Sequence, residues 1–152
     1  MKPRNVFLSL YAVSASALDI YFWNDRGCKG TALKCGGINP GVCCLGGGDM
    51  DLSVSYLGIV EYWHITCASS IWYNCDEIMS QSSVTGVTWV CHDDRIYDSA
   101  KYWFEGKKRD DVCTGAQRPC DAATAQRADQ LVMSDGVVFN IGGLADDQWQ
   151  EM

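Results

Sequence analysis

Nine cysteines constrain this chain more than any other feature: Cys28, Cys35, Cys43, Cys44, Cys67, Cys75, Cys91, Cys113 and Cys120. They all follow an opening with Lys2 and Arg4, an apolar run over residues 6–13, and the small residues Ala15-Ser16-Ala17. A basic start, a short apolar middle and a small-residue exit are the parts of a secretory leader, and they predict cleavage after Ala17. The apolar run is far shorter than the roughly 20 residues of a membrane-spanning helix. A small exported chain this dense in cysteine is expected to fold around a disulfide framework.

Eight paired cysteines still allow roughly a hundred connectivities. Two expectations narrow them. Adjacent Cys43 and Cys44 point to opposite sides and so should have different partners. Cys113 and Cys120 flank a segment in which Gly115 and Pro119 favour a turn, so a local bridge is expected there. The odd cysteine is expected to be a buried thiol. Residues 18–152 suit a single cysteine-rich domain.

Charge removes several partner classes. Twelve Lys and Arg stand against nineteen Asp and Glu, a formal net charge of −7, and loss of Lys2 and Arg4 with the leader deepens it. Such a surface repels phosphate backbones and anionic lipid, so neither nucleic acid nor membrane insertion is expected. No Asn-x-Ser/Thr acceptor occurs. The predicted location is extracellular.

Hydrophobic patterning points to strands. Residues 19–23 are rich in β-formers and stop at a turn cluster over residues 24–27. Residues 30–48 hold about half of the fifteen glycines together with Pro40, which predicts an irregular, stapled meander. Leu52, Val54 and Tyr56 alternate with Ser53 and Ser55, the pattern of a half-buried strand. Residues 59–67, 84–91 and 99–104 are further β-prone runs. Asp135-Gly136 between apolar runs marks a hairpin over residues 131–141. Residues 121–129 are the best helix candidate, capped by Asp121 and favoured by alanines, and a last helical turn is expected over residues 146–151. Short strands with frequent turn signals predict an all-β fold, a compact disulfide-stapled barrel or sandwich with at most one or two short helices.

Chemistry-bearing residues are sparse. His64 and His92 are the only histidines. With Glu61 and Arg95 they compose an acid–base set for a small hydrolase acting on cell-wall glycan or RNA. The competing expectation packs His64 in a strand and solvates His92 in a loop. A cysteine nucleophile beside His92 and Asp93 or Asp94 competes with disulfide demand. Asp49 and Asp51 after three glycines lack the further ligands of a calcium loop. The Asp pairs at 93/94, 110/111 and 146/147 are most simply surface charge, and no recurring metal-ligand spacing or cofactor motif occurs. Neither metal nor cofactor is expected.

Aromatics occur in runs: Tyr21-Phe22-Trp23, Tyr62-Trp63, Trp72-Tyr73 and Tyr102-Trp103-Phe104. Strand neighbours point to opposite faces, so one member of each run tends outward, where it can stack on a sugar or anchor a protein. Trp23, Trp72 and Trp103 are the candidate contact residues. A carbohydrate-binding module is therefore a further reading.

The stretch Tyr21-Phe22-Trp23, Gly27-Cys28-Lys29-Gly30, Cys35, Ile38-Asn39-Pro40-Gly41 and Cys43-Cys44, with the hairpin at residues 131–141, resembles small cysteine-rich elicitor proteins secreted by filamentous fungi. That resemblance implies a non-enzymatic effector of the plant apoplast, which triggers hypersensitive cell death and defence by contacting a plant cell-surface or apoplastic component. It carries no family active site to map onto this chain.

Overall fold

Leu18, Ile20 and Phe22 are buried while Asp19, Tyr21 and Trp23 between them are only partly so. This period-two pattern makes residues 18–25 a strand with one face on a core. A computed structural model describes residues 17–48, 51–106, 125–144 and Gln148. Eleven strands lie among them: β1 Leu18–Asp25, β2 Lys29–Ile38, β3 Cys43–Leu45, β4 Ser53–Leu57, β5 Ile65–Ser70, β6 Ile78–Val84, β7 Trp89–His92, β8 Ser99–Phe104, β9 Ala125–Arg127, β10 Gln130–Val132 and β11 Val138–Asn140.

Two sheets form a sandwich, so the fold is all-β. One runs β11-β10-β2-β1-β4-β7 and the other β6-β5-β8-β3-β9. Every pairing is antiparallel except β3 with β9. The inner faces meet around Ile20, Phe22, Val54, Tyr56, Ile65 and Tyr102, all fully buried. Each such side chain contributes about 1.5–3 kcal/mol on leaving water. Buried tyrosines need a partner for the hydroxyl. Tyr102 donates to the Ile38 carbonyl at 2.9 Å, and Tyr56 shares a hydrogen bond with Ser69 at 2.8 Å.

Among the described residues three disulfides divide the work. Cys35–Cys44 joins β2 to β3 through the core, where both residues are fully buried. Cys28–Cys91 ties the β1–β2 turn to β7 over the outer face of the six-stranded sheet. Cys43–Cys75 ties β3 to the β5–β6 loop over the outer face of the five-stranded sheet. Cys43 and Cys44 thus do take different partners, because alternate strand positions face opposite ways. Cys67 is a buried free thiol. The expected Cys113–Cys120 bridge lies outside the described residues, as does the leader apart from Ala17.

Several local expectations are corrected. Residues 29–38 form a strand despite their glycines, because β2 has ladder partners on both sides, β1 and β10, although its register against β1 shifts twice, near Gly30 and near Gly37. Ser53 and Ser55 are buried along with their apolar neighbours, since the β1–β2 turn folds over β4: the Cys28 backbone N–H donates to Ser53 Oγ at 3.0 Å. The run at residues 59–67 is strand only from Ile65, and the run at 84–91 divides between the end of β6 and the start of β7. Ala125–Arg127, inside the helix candidate, is a strand paired with β3, so tertiary pairing overrides the helix preference of alanine. The rest of that candidate, residues 121–124, and nearly all of residues 146–151 lie outside the described residues.

Candidate recognition surface

The three candidate tryptophans occupy three different places. Trp23 points out of the six-stranded sheet, stacks on Tyr21 with ring centroids 5.4 Å apart, and donates its indole N–H to Ser55 Oγ at 2.8 Å. Tyr21 in turn carries the Lys34 ammonium 5.3 Å above its ring, and Lys34 pairs with Asp19 at 2.9 Å. Trp103 points out of the opposite sheet, level with Thr66 on β5. Trp72 stands in the β5–β6 loop and is 53% exposed, beside Tyr73 at 51%. Trp23 and Trp103 therefore lie on opposite outer faces and form no common patch.

The loop of residues 71–77 is the best-built surface feature. Cys75 has a left-handed backbone, φ 56°, which a side chain with a Cβ rarely adopts. Its disulfide to Cys43 holds it there. Ser99 Oγ, beneath the loop, accepts the Cys75 N–H at 3.1 Å and donates to the Trp72 carbonyl. The Trp72 indole N–H donates to Glu77 Oε2 at 2.6 Å, and Asn74 Oδ1 accepts the Asp76 N–H at 3.1 Å. The Trp72 ring and the Glu77 carboxylate are thereby held together on a braced loop that also exposes Tyr73 and Asp76.

The two histidines exchange the environments expected of them. His64 is exposed and bonds Thr85 through Nδ1 at 2.8 Å. His92 is buried on the inner face of β7, with Nδ1 2.8 Å from Ser69 Oγ and Nε2 2.9 Å from Ser82 Oγ. The run around His64 leaves the sheet before β5 begins, whereas β7 carries His92 to the open side of the sandwich. Burial lowers the His92 pKa, partly opposed by Asp94 and Asp93. Next to it, Asp94 Oδ1 accepts from Ser80 at 2.8 Å and from the Tyr97 hydroxyl. Glu61 is exposed and Arg95 faces Asp94 across 3.9 Å. His64 and His92 contact opposite ends of β5, roughly 15 Å apart along a strand. Glu61, His64, His92 and Arg95 are not gathered into one site.

A second buried polar group supports the glycine-rich turn. Asp51 is 5% exposed, and its Oδ2 accepts the Gly47 N–H at 2.8 Å. Burial, reinforced by Asp98, raises its pKa to about 7 against the hydrogen bonds from Gly47 and Gly48. Its carboxylate thus serves its own turn. No group of three or more His, Cys, Asp or Glu is placed to hold a metal among the described residues.

The ARB_05566_N family model, described as an N-terminal domain, matches residues 19–129, well over half of the chain. The chain belongs to the ARB_05566_N family. No curated protein and no solved structure matches it significantly. The six cysteines bridged among the described residues, with Trp72, Tyr73 and His92, fall within the ARB_05566_N range, whereas the β10–β11 hairpin lies beyond it. The family description names a domain and no activity.

Sequence reasoning missed Ser69, Ser82 and Ser99. Nothing in a serine's local sequence distinguishes one that holds a buried histidine or a loop from one in solvent. It also weighs Asp51 only against a calcium loop, which it sets aside for want of further ligands, and does not reach its support of the turn. The signal that was available is Gly46-Gly47-Gly48, a run without side chains whose N–H groups need an acceptor wherever the turn is taken out of water.

Proposed function

We propose that this protein is a secreted fungal elicitor that acts on plant tissue through a rigid, folded recognition surface. The observation that carries the reading is the layout of the bridges. One crosses the core and two pin surface turns, so loops that would otherwise be mobile are presented in fixed form. Pre-ordering a loop lowers the entropic cost of binding. The three disulfides suit an oxidising compartment outside the cytosol, and the apoplast is such a place. The similarity to cysteine-rich fungal elicitors supplies the biological setting, and a plant cell-surface or apoplastic component is the partner.

Infiltration of leaf tissue tests this directly. Oxidised protein is expected to cause local cell death and defence-gene induction. Protein that has been reduced, alkylated and shown by circular dichroism to be unfolded is expected to be silent. Equal activity from both samples would mean that a linear peptide, not a folded surface, is perceived.

A further inference from the structure

We propose that the 72–77 loop is a docking site for an arginine-bearing basic segment of a partner protein. The inference deepens the recognition reading above and rests on it for its biological setting.

Charge and chemistry coincide at this loop. Residues 71–77 read Ile71-Trp72-Tyr73-Asn74-Cys75-Asp76-Glu77, with two exposed aromatics, two exposed carboxylates and no cation, on a chain whose net charge is −7. A guanidinium satisfies both elements together. Its flat face stacks on an indole or phenol ring, and its N–H fork donates to a carboxylate. Lysine supplies charge without the stacking plane, so arginine is favoured. An anionic partner would be repelled. A neutral sugar would use the rings but leave the charge of Asp76 and Glu77 unused.

The site is also preformed. The Cys43–Cys75 bridge, the two Ser99 hydrogen bonds and the Trp72–Glu77 contact each remove freedom from the loop. Tyr73 is braced from the other side: its hydroxyl lies so close to Gly48 that a Cβ added there would sit 2.3 Å away. The indole N–H engages one oxygen of Glu77, and a carboxylate has capacity for further donors. A non-glycine left-handed residue held by several constraints, as Cys75 is, recurs at ligand clamps. Aromatic anchors of this kind dominate the energetics of protein interfaces.

The test is fluorescence anisotropy of the oxidised full-length protein with a labelled peptide of alternating arginine and glycine. Matched lysine–glycine and glutamate–glycine peptides and a neutral chitin oligomer serve as competitors. The arginine peptide is expected to bind and to weaken at least tenfold on raising salt from low to physiological strength. Trp72→Ala, and separately Asp76→Asn with Glu77→Gln, should each weaken it about tenfold. The side chains are exposed, and an unchanged far-ultraviolet circular dichroism spectrum with a wild-type-like urea midpoint would confirm that each variant folds. The inference is overturned by absence of binding, by binding that ignores both variants, or by preference for the chitin oligomer. Leaf infiltration separates the two claims. Variants that lose arginine binding yet elicit fully would sink this site and leave the elicitor reading intact. Arginine binding by a wild-type protein that elicits nothing would do the reverse.

Discussion

His92 Nε2 and Ser82 Oγ, 2.9 Å apart, join the edge strands of two different sheets. β7 ends the six-stranded sheet and β6 ends the five-stranded one, so this contact closes the open side of the sandwich. Ser69 on the other ring nitrogen, backed by Tyr56, extends the seam into the core. A histidine with both nitrogens engaged and its ring buried acts as a latch that prefers the neutral form.

Acid should therefore weaken the seam. Burial depresses the His92 pKa below 6.5 despite Asp94 and Asp93. A base with a depressed folded pKa contributes stability that is present above pH 6.5 and lost as pH falls through the folded value. Urea midpoints should decline as the pH drops below about 6.5. His92→Gln, which hydrogen-bonds without titrating, should flatten that decline. An unchanged acid slope in the variant would assign the pH dependence elsewhere.

Asp51 should tilt the profile the opposite way. Its folded pKa of about 7 lies above the ordinary 3.8, so its stabilising contribution is complete below 3.8 and is lost as pH rises through about 7. Asp51→Asn keeps an acceptor for the Gly47 N–H and cannot ionise. The variant should gain stability relative to wild type at neutral pH, and lose that advantage near pH 4, in the same urea titration.

The bridges should differ in weight. Cys28–Cys91 spans 63 residues and Cys35–Cys44 only 9. Chain entropy alone assigns about 4 kcal/mol to the first and about 2.5 kcal/mol to the second. Paired alanine substitutions compared by guanidinium denaturation should show the larger loss for Cys28 and Cys91, and an equal or greater loss for Cys35 and Cys44 would show that the cavity left in the core outweighs loop entropy.

Cys67 should be chemically silent in the native state. Burial pushes its thiol up to about 12, so almost no thiolate exists at neutral pH. Iodoacetamide at about pH 8 should leave it unmodified until denaturant is added, as peptide mass spectrometry would show. Rapid native labelling would mean that β5 opens readily.

The glycine turn should tolerate no side chain at one position. A Cβ on Gly46 would lie 2.4 Å from Asp51 Oδ2 and 2.7 Å from Phe22 Cδ1, both in buried side chains. Gly46→Ala should cost about 1–3 kcal/mol. Gly143→Ala, with nothing within 4 Å of the added atom, should be close to neutral in a thermal melt.

Much of the architecture was legible from residue order. The β-rich runs at residues 19–23 and 99–104 and the turn chemistry of Asp135-Gly136 are local signals, and the opposite directions of Cys43 and Cys44 follow from a two-residue side-chain period. These features are enough to specify strands, turns and a cross-linked β class. Which cysteine meets which, why Ala125–Arg127 pairs with β3, and which histidine is buried depend on contacts between residues far apart in the chain. The rigid Trp72–Glu77 loop shows the same division. Its aromatic and acidic residues can be read directly, but Cys43 and Ser99, which hold it in shape, arrive from other strands. Short-range preference is written into neighbouring residues, whereas long-range partnership is selected only when the two sheets close on one another and every buried polar group must find its match.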